Sequence, residues 1–516
     1  MDYVEPNPSL WMTTSTRSHY PPLSGDGVAD VVVVGGGITG LTAAWLLQRQ
    51  GRRVVLVEMH RVAVGETGHT TSHLTELTDR RYHVLESKFG RQGARKVADS
   101  SRAAIELIAQ LSSELGVDCG FERVPAFLYT ERESHIRELE KEVEAAQRVG
   151  LVAQLTRTVP LPFPVKLAIR VENQAQVHPR EYLLPLAAAF VERGGRIHEM
   201  TRVLNVHDGA PCVVETERGT LRADSVVVAA NVPVNNKVFL ITKIAPYRTY
   251  VVAAKLEKPF PPGLFWDTED PYHYTRRHLT AEGEYLIVGG EDHKVGKEDD
   301  TEQRYARLSA YVRDRFGLVP THRWSGQIIE PVDGLPFIGL NSASRHVYVA
   351  TGYSGTGMTF GTVGGMVVSD LIAGRPNPWA DLYDATRVRP LAQAKDYIAE
   401  NLDYPAHMIR DRFQKGEVQS LAEVPLGEGR LMQVNGRMLA VSRDEDGEVH
   451  AVSAVCKHMG CHVGWNTAER TWDCPCHGAR YDPAGRVLNG PATQDLEPVE
   501  PSAPPLQAEE GASPQG

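Results

Sequence analysis

At 516 residues the chain is too long for one hydrophobic core, so two or three domains are expected. A hydrophobic fraction of 42% and a charged fraction of 23% describe an ordinary globular protein and exclude a disordered or fibrous one. The net charge of -10, with no block of lysine and arginine, speaks against a nucleic-acid or acidic-membrane surface.

Residues 1–26 are polar and proline-bearing, without the basic start and apolar stretch of a secretory signal. Apolar runs such as Val226 to Ala230 are strand-length, far short of the roughly 20 residues that cross a bilayer, so no membrane span and a cytoplasmic location are expected. From Ala29 to Val34 a valine-rich run breaks into glycines, continues as a helical pattern over Ile38 to Gln50, and returns to a strand over Arg53 to Glu58, which is a βαβ unit. The glycines, Gly35-Gly36-Gly37-Ile38-Thr39-Gly40, match G-x-G-x-x-G between strand and helix. In that setting Gly35 makes the tight turn, Gly37 lets the backbone approach a pyrophosphate, and Gly40 permits close helix packing. Glu58, ending the second strand, is placed to accept from a ribose hydroxyl and argues against a 2′-phosphate. A purely structural glycine turn is the alternative, and strand, helix and terminal acid together outweigh it. NAD and FAD share this fingerprint.

Two charged, helically periodic segments follow, Gly93 to Leu115 and Glu131 to Val149, and then a helix and short strands between Pro179 and Ala230. Tyr247 to Leu256 and Glu284 to Gly289 alternate as half-buried strands around aromatic loops such as Asp270 to Tyr274, and form an expected substrate-facing sheet. Its candidate substrate residues are Tyr247, Arg248, Tyr250, Tyr272, Tyr274 and Arg276, with Arg248 or Arg276 suited to clamp a carboxylate bidentately. For each of these, a packed aromatic or a surface ion pair is the plainer reading. The glycine-dense stretch Gly352 to Gly365 runs into a helix ending near Ile372, which Gly374-Arg375-Pro376 stops. Trp379 to Phe413 reads as an amphipathic helical connector, and short strands from Val418 onward indicate a small all-β unit. The tail after Pro498 has the composition of a disordered segment.

Of the six cysteines, Cys119 and Cys212 stand apart, whereas Cys456, Cys461, Cys474 and Cys476 crowd into one segment, as metal chemistry would require. Cys456-Lys457-His458 and Cys474-Pro475-Cys476-His477 give C-x-H, fifteen intervening residues, then C-x-x-H. A 2Fe-2S cluster with two thiolates on one iron and two imidazoles on the other needs two Cys and two His from two loops, which assigns Cys456, His458, Cys474 and His477 as ligands. A tetrahedral zinc site could use the same donor types.

Two resemblances go further. The fingerprint, Val226 to Ala230, Asp333-Gly334-Leu335-Pro336-Phe337-Ile338-Gly339 and the glycine-to-helix segment Gly352 to Ile372 stand in the order seen in the D-amino-acid oxidase and sarcosine oxidase family of FAD enzymes, which the chain resembles over most of residues 28–375. The resemblance implies FAD as cofactor, Gly334 and the backbone of Gly355, Thr356, Gly357, Met358 and Thr359 against the flavin, and a small amine, N-methyl amine or amino acid as substrate. Thr67, His69, Thr70 and Thr71 follow the acid by a short loop and suit pyrophosphate or ribityl contacts. His69 also has the spacing of the histidine that carries covalent flavin in the dimethylglycine dehydrogenase branch, but its flanking residues depart from that pattern and favour a non-covalent contact. Residues 417–500, with Tyr481-Asp482, Gly485, Val487 and Gly490-Pro491-Ala492 after the second loop, resemble the Rieske family. That likeness implies a disulfide between Cys461 and Cys476, with two free thiols as the alternative. Where quinol-oxidising Rieske proteins carry a serine after His-Gly this chain has Ala479, which implies a potential in the middle or lower part of the roughly -150 to +300 mV Rieske range.

The expected fold is therefore an α/β Rossmann-like FAD-binding domain (28–80, 150–235 and 325–375) with an inserted α+β substrate domain (81–149 and 236–324). A helical connector (376–416), an all-β Rieske domain (417–500) and a disordered tail (501–516) complete it. The expected enzyme oxidises its substrate at FAD and passes electrons singly through the 2Fe-2S cluster to an acceptor: a protein, a quinone or oxygen. Rivals are an NAD(P)H-driven flavin/Rieske reductase, which lacks a second fingerprint, and a Rieske oxygenase, which lacks room after the cluster for an iron domain. A non-enzymatic redox carrier or sensor leaves the first 375 residues unexplained.

Overall fold

The computed structural model describes residues 6–234, 240–298, 300–387 and 415–499. Its first sheet sets Val347–Thr351, Gly219–Val228, Gly27–Val34, Val54–Val57 and Arg196–His198 side by side in parallel, with Phe337–Leu340 antiparallel at one edge. The hairpin of Val203–His207 and Cys212–Thr216 hangs on Gly219–Val228. Val31 to Val34 and Val54 to Val57 are buried throughout, as strands covered on both faces must be. Each such side chain contributes roughly 1.5–3 kcal/mol of burial, which is why the run is continuously aliphatic. The helices Ile38–Arg49 and Gly357–Ile372 pack against one another over this sheet. Gly40 makes the turn beneath the first helix possible, since a Cβ there would lie 1.9 Å from the Gly35 carbonyl oxygen.

The second sheet has nine strands, in the order His322–Pro331, Ile244–Lys255, Gly283–Lys294, His273–Thr280, Leu264–Trp266, Glu122–Thr130, Leu167–Gln176 and His73–Leu74, with Ala153–Thr156 paired beside Leu167–Gln176. This moves three expected boundaries. Ala153–Thr156 and Leu167–Gln176, expected in the dinucleotide-binding part that resumes at 150, hydrogen-bond to the second sheet instead. So do His73–Leu74, from the 28–80 segment, and His322–Pro331, which straddles the expected start at 325. The long helix Tyr82–Glu114, expected in the substrate domain, packs on Gly357–Ile372 of the first. Periodicity identifies such elements but is silent on which sheet edge or helix face receives them.

The expected end of the flavin module at 375 also moves. Gly374, at φ 68, does end the helix, yet the chain then returns through Ala380–Tyr383, whose Tyr383 is buried and shares a 2.8 Å hydroxyl contact with Ser100. Arg387 follows, donating to both carboxylate oxygens of Asp333 at 2.8 Å. The rest of the expected connector, 388–414, and the tail from 500 lie outside the described residues. The C-terminal unit pairs Glu428–Val434, Arg437–Arg443 and Val449–Ser453 in one sheet, and Gly464–Asn466, Thr471–Asp473, Arg480–Tyr481 and Val487–Asn489 in another. Among the described residues, no helix is long and apolar enough to cross a membrane.

The N-terminal segment, which shows only polarity in the sequence, forms the helix Leu10–Thr14 with Leu10 and Trp11 fully buried. Trp11 Nε1 donates to the Thr70 carbonyl at 2.5 Å and Ser9 Oγ to the Gly68 carbonyl at 2.6 Å, so this short helix pins the loop that follows the fingerprint.

Candidate active site and cluster pocket

A cavity of about 320 Å³ begins at the fingerprint and ends at the second sheet. At its first end lie Gly35, Gly36 and Gly37, at the amino end of the helix Ile38–Arg49, followed by Glu58. Glu58 Oε2 accepts from the Gly36 amide at 2.7 Å and Oε1 from the His60 amide at 2.8 Å, which fixes the carboxylate with lone pairs still available to the cavity. Thr67 Oγ1 accepts from the Ile38 amide at 3.2 Å, and Thr70 and Thr71 line the same wall. His69 lines it too, its Nδ1 within 3.0 Å of the Gly65 carbonyl. Gly355, Thr356, Gly357 and Met358 close the opposite side. A glycine-lined helix start, free of bulk and rich in amides, suits a diphosphate, and the acid beside it suits a ribose, so this donor set fits FAD.

Gly334 and Thr359 were expected here and stand elsewhere. Gly334, at φ 88, packs on the side chain of Arg80, because its segment serves as the anchor for Arg387. Thr359 turns inward, accepting from the Thr75 amide at 3.3 Å. Gly40 lies beneath the helix, in its expected packing role.

The far end admits only some of the candidate substrate residues. On Ile244–Lys255, Thr249 faces the cavity, so its neighbours Arg248 and Tyr250 point to the other face of the sheet. Tyr250 joins a core cluster, its ring 4.9 Å from that of Tyr305, and Tyr247 is likewise outside the cavity lining. Arg248 donates to Ser325 Oγ at 2.8 Å and lies 3.7 Å from Asp473. Arg276 is fully buried under the 71–72 loop, donating to the carbonyls of Thr71 at 3.0 Å and Ser72 at 2.7 Å. Neither arginine lines the cavity, so neither is a carboxylate clamp for a ligand in it. Tyr272 and Tyr274 do line it, the Tyr274 hydroxyl 2.7 Å from Thr249 Oγ1.

The sequence reading missed the acids between them. Asp79 and Asp292 both line the cavity, and Glu330 stands behind Ser354, accepting from its hydroxyl at 2.9 Å. Asp79 accepts from the Gly355 amide at 2.7 Å. Burial pushes the Asp292 carboxyl up to about 7, with Thr249 opposing and the Asp79 charge adding to the rise. Burial raises Asp79 and Glu330 as well, each facing another carboxylate. Arg81 also lines this end and moderates Asp79. A carboxylate alternating with aromatics on strand edges leaves a weak trace, and only packing brings residues 79, 292 and 330 together.

In the C-terminal unit, Cys456 and Cys474 are buried free thiols, and the rings of His458 and His477 meet 4.8 Å apart at 87°. Cys461 and Cys476 form a disulfide that ties the two loops together. Tyr481 Oη lies 3.2 Å from Cys456 Sγ, while Ala479 is fully buried and offers no hydroxyl. Two thiols and two imidazoles converging from two loops fit a 2Fe-2S cluster. This unit is docked on the flavin module: Leu488, Asn489, Gly490, Ala492 and Thr493 form part of the cavity wall, and Asn489 Nδ2 donates to Glu66 Oε1 at 2.6 Å.

Residues 30–371 match the family described as FAD dependent oxidoreductase, and residues 414–500 match the Rieske [2Fe-2S] domain. The chain belongs to the FAD-dependent oxidoreductases. It carries in addition a Rieske domain that binds a 2Fe-2S cluster. A Bacillus subtilis relative, YhfW, whose name describes a Rieske 2Fe-2S iron-sulfur protein, is 34% identical over 498 residues, covering 95% of this chain and 97% of that one. Gamma-glutamylputrescine oxidoreductase of Escherichia coli is 26% identical over 359 residues, 67% of this chain and 84% of that protein. The fold matches glycine oxidase from Geobacillus kaustophilus with a TM-score of 0.61 at 19% identity, over 70% of this chain and 99% of that one.

Proposed function

We propose that this FAD-dependent oxidoreductase oxidises a small amine, N-methyl amine or amino acid by transferring hydride from the carbon beside nitrogen, and passes the electrons singly through the 2Fe-2S cluster to an acceptor. The observation that carries this reading is the acidic, tyrosine-rich far end of the cavity, where Asp79 and Asp292 offer negative charge to a cationic nitrogen. Two relatives are named for acting on an amine and an amino acid. Arg81 at the same end suits a substrate carboxylate and keeps amino acids within the class.

In this reading Gly35, Gly37 and the amides opening the helix Ile38–Arg49 hold the diphosphate, and Glu58 takes the ribose hydroxyl. Thr67, Thr70, Thr71 and the Gly355–Met358 backbone flank the ribityl chain and ring, and His69 makes a non-covalent contact. The flavin, when bound, accepts the hydride. Amine oxidation requires the neutral amine, and Asp292, with its carboxyl pushed up to about 7, is matched to take the ammonium proton near neutral pH. Tyr272, half-buried, and Tyr274, buried, wall the substrate against water in the cavity lining. Cys456, His458, Cys474 and His477 would hold the cluster, and the hydrogen bond from the cavity-lining Gln327 to the Gly478 carbonyl beside that ligand loop supports transfer from flavin to cluster.

An anaerobic panel of amines and amino acids, mixed with holoenzyme while flavin and cluster absorbance are followed, tests this. At least one compound should bleach both chromophores. Bleaching by NADH or NADPH with none by the panel would overturn it in favour of a pyridine-nucleotide reductase.

A further inference from the structure

The strands Ile244–Lys255 and His322–Pro331 are neighbours, with Thr249 opposite Gly326 and Arg248 opposite Gln327. Thr249 and Gly326 line the flavin cavity. From the adjacent pair, Gln327 Nε2 donates to the Gly478 carbonyl at 2.8 Å, and Arg248 Nη2 lies 3.7 Å from Asp473 Oδ2. Residues 473 and 478 bracket Cys474 and His477, so one cross-strand pair grips both ends of the segment that supplies two of the four cluster ligands. Both side chains are buried, Arg248 at 1% and Gln327 at 3% exposure.

Gln327 has contacts on each side of this partition. It also lines the cavity, its backbone N–H donates to Glu66 Oε2 at 2.5 Å, and its Oε1 accepts from Asn231 Nδ2 at 3.3 Å. Gly478 has φ 74, and a Cβ there would lie 2.2 Å from Gln327 Nε2, so the approach of this loop to the sheet needs glycine. Pro475 is seated as closely, 2.2 Å from where a Cβ on Gly296 would stand. The other ligand loop faces outward, with Val455 and Met459 each 40% exposed.

We infer that electrons enter the cluster through the Cys474–His477 loop at this single sheet layer, and that Gln327 is the positioning residue that holds the loop at transfer distance. The inference rests on the flavin-to-cluster direction proposed above. In the step itself one electron leaves the reduced flavin and one ferric ion of the cluster becomes ferrous, with no bond made or broken. The second electron follows after a one-electron acceptor has emptied the cluster.

The test is flash photoreduction of anaerobic holoenzyme with 5-deazariboflavin as the probe, following the flavin and cluster bands separately and normalising to flavin and iron content. In Gln327→Leu, which keeps bulk and removes the donor, the flavin-to-cluster phase should slow by at least about tenfold. Gly478→Ala, which pushes the loop off the sheet, should slow it as well. Hydrogen exchange of the 474–479 amides in the resting protein should rise in both variants, a readout independent of turnover. Wild-type protein that reduces its flavin but never passes an electron to the cluster overturns the direction and the inference together. Transfer in both variants within twofold of wild type leaves the direction standing and removes Gln327 from this role.

Discussion

The flavin cavity and the cluster pocket are separated by two strands, yet they are built on opposite plans. The four donors proposed for the cluster, Cys456, His458, Cys474 and His477, come from two short loops of one small domain tied by the Cys461–Cys476 bridge, within 22 consecutive residues, 456 to 477. The cavity gathers its walls from the N-terminal fingerprint, both sheets and the Rieske domain, and the acids at its far end come from positions 79, 292 and 330. A metal centre needs few donors at short range, and local loops supply them. A substrate end needs charge of one sign desolvated in one place, which only long-range packing achieves.

The largest effect expected from breaking this contrast is at the local site. Cys474→Ser should abolish the reduced-cluster electron-paramagnetic signal while flavin absorbance remains, since the cavity lining does not include this thiol. Loss of both cofactors would show that the two sites are one folding unit. At the distributed site, Asp292→Asn should lower kcat/KM for the best amine by roughly 100-fold, the scale of a lost general base, measured as the rate of anaerobic flavin bleaching. An unchanged rate would move the proton acceptor elsewhere.

The same residue sets a pH dependence. Its folded carboxyl is raised to about 7 from an ordinary 3.8, so its contribution to stability is complete below the ordinary value and is lost as pH rises through about 7. Burial raises Asp79 and Glu330 in the same sense. Substrate-free protein should therefore lose about 1 to 3 kcal/mol between pH 5 and pH 8 through these groups, and Asp292→Asn should flatten that slope in denaturant titrations. The smallest effect belongs to the cluster's surroundings. Ala479→Ser adds a hydroxyl beside the ligand loop, and one hydrogen bond of about 1 kcal/mol corresponds to a rise on the order of 40 mV for a one-electron couple. Redox titration of both forms checks it, and a wild-type potential above about +250 mV would contradict the role given to the missing hydroxyl.

Legibility in the sequence followed the range of the interactions. Gly35 to Gly40 with Glu58, and Cys456 to His477, are short runs whose spacing marks them as candidate sites, and the family resemblance chose FAD over NAD and a 2Fe-2S cluster over zinc. Tyr272 and Tyr274 were candidates as aromatics of an expected loop, and the structure puts both in the cavity lining. Arg248 and Tyr250 were not, because a strand presents alternate residues to opposite faces and a one-residue change of parity exchanges cavity for core, and Arg276, on the same face as Tyr274, is taken up by the carbonyls of Thr71 and Ser72. Gly334 and Thr359 sit in segments whose family resemblance is real but whose side chains face Arg80 and Thr75. The short helix Leu10–Thr14 had no periodicity to announce it; its order comes from burying Leu10 and Trp11 against elements that follow much later.

By itself the sequence determined that there are a dinucleotide turn and a paired Cys/His centre, and through family resemblance that these belong to FAD and a 2Fe-2S cluster, because both motifs are local solutions to local demands. Tertiary structure alone decided which residue bridges the cavity and the Cys474–His477 loop, and which acids share the far end of the cavity. Gln327 reaches Gly478 across 151 positions, and the paired carboxylates converge over more than two hundred, distances in sequence at which no pattern survives and only the packing of sheet on sheet selects the neighbours.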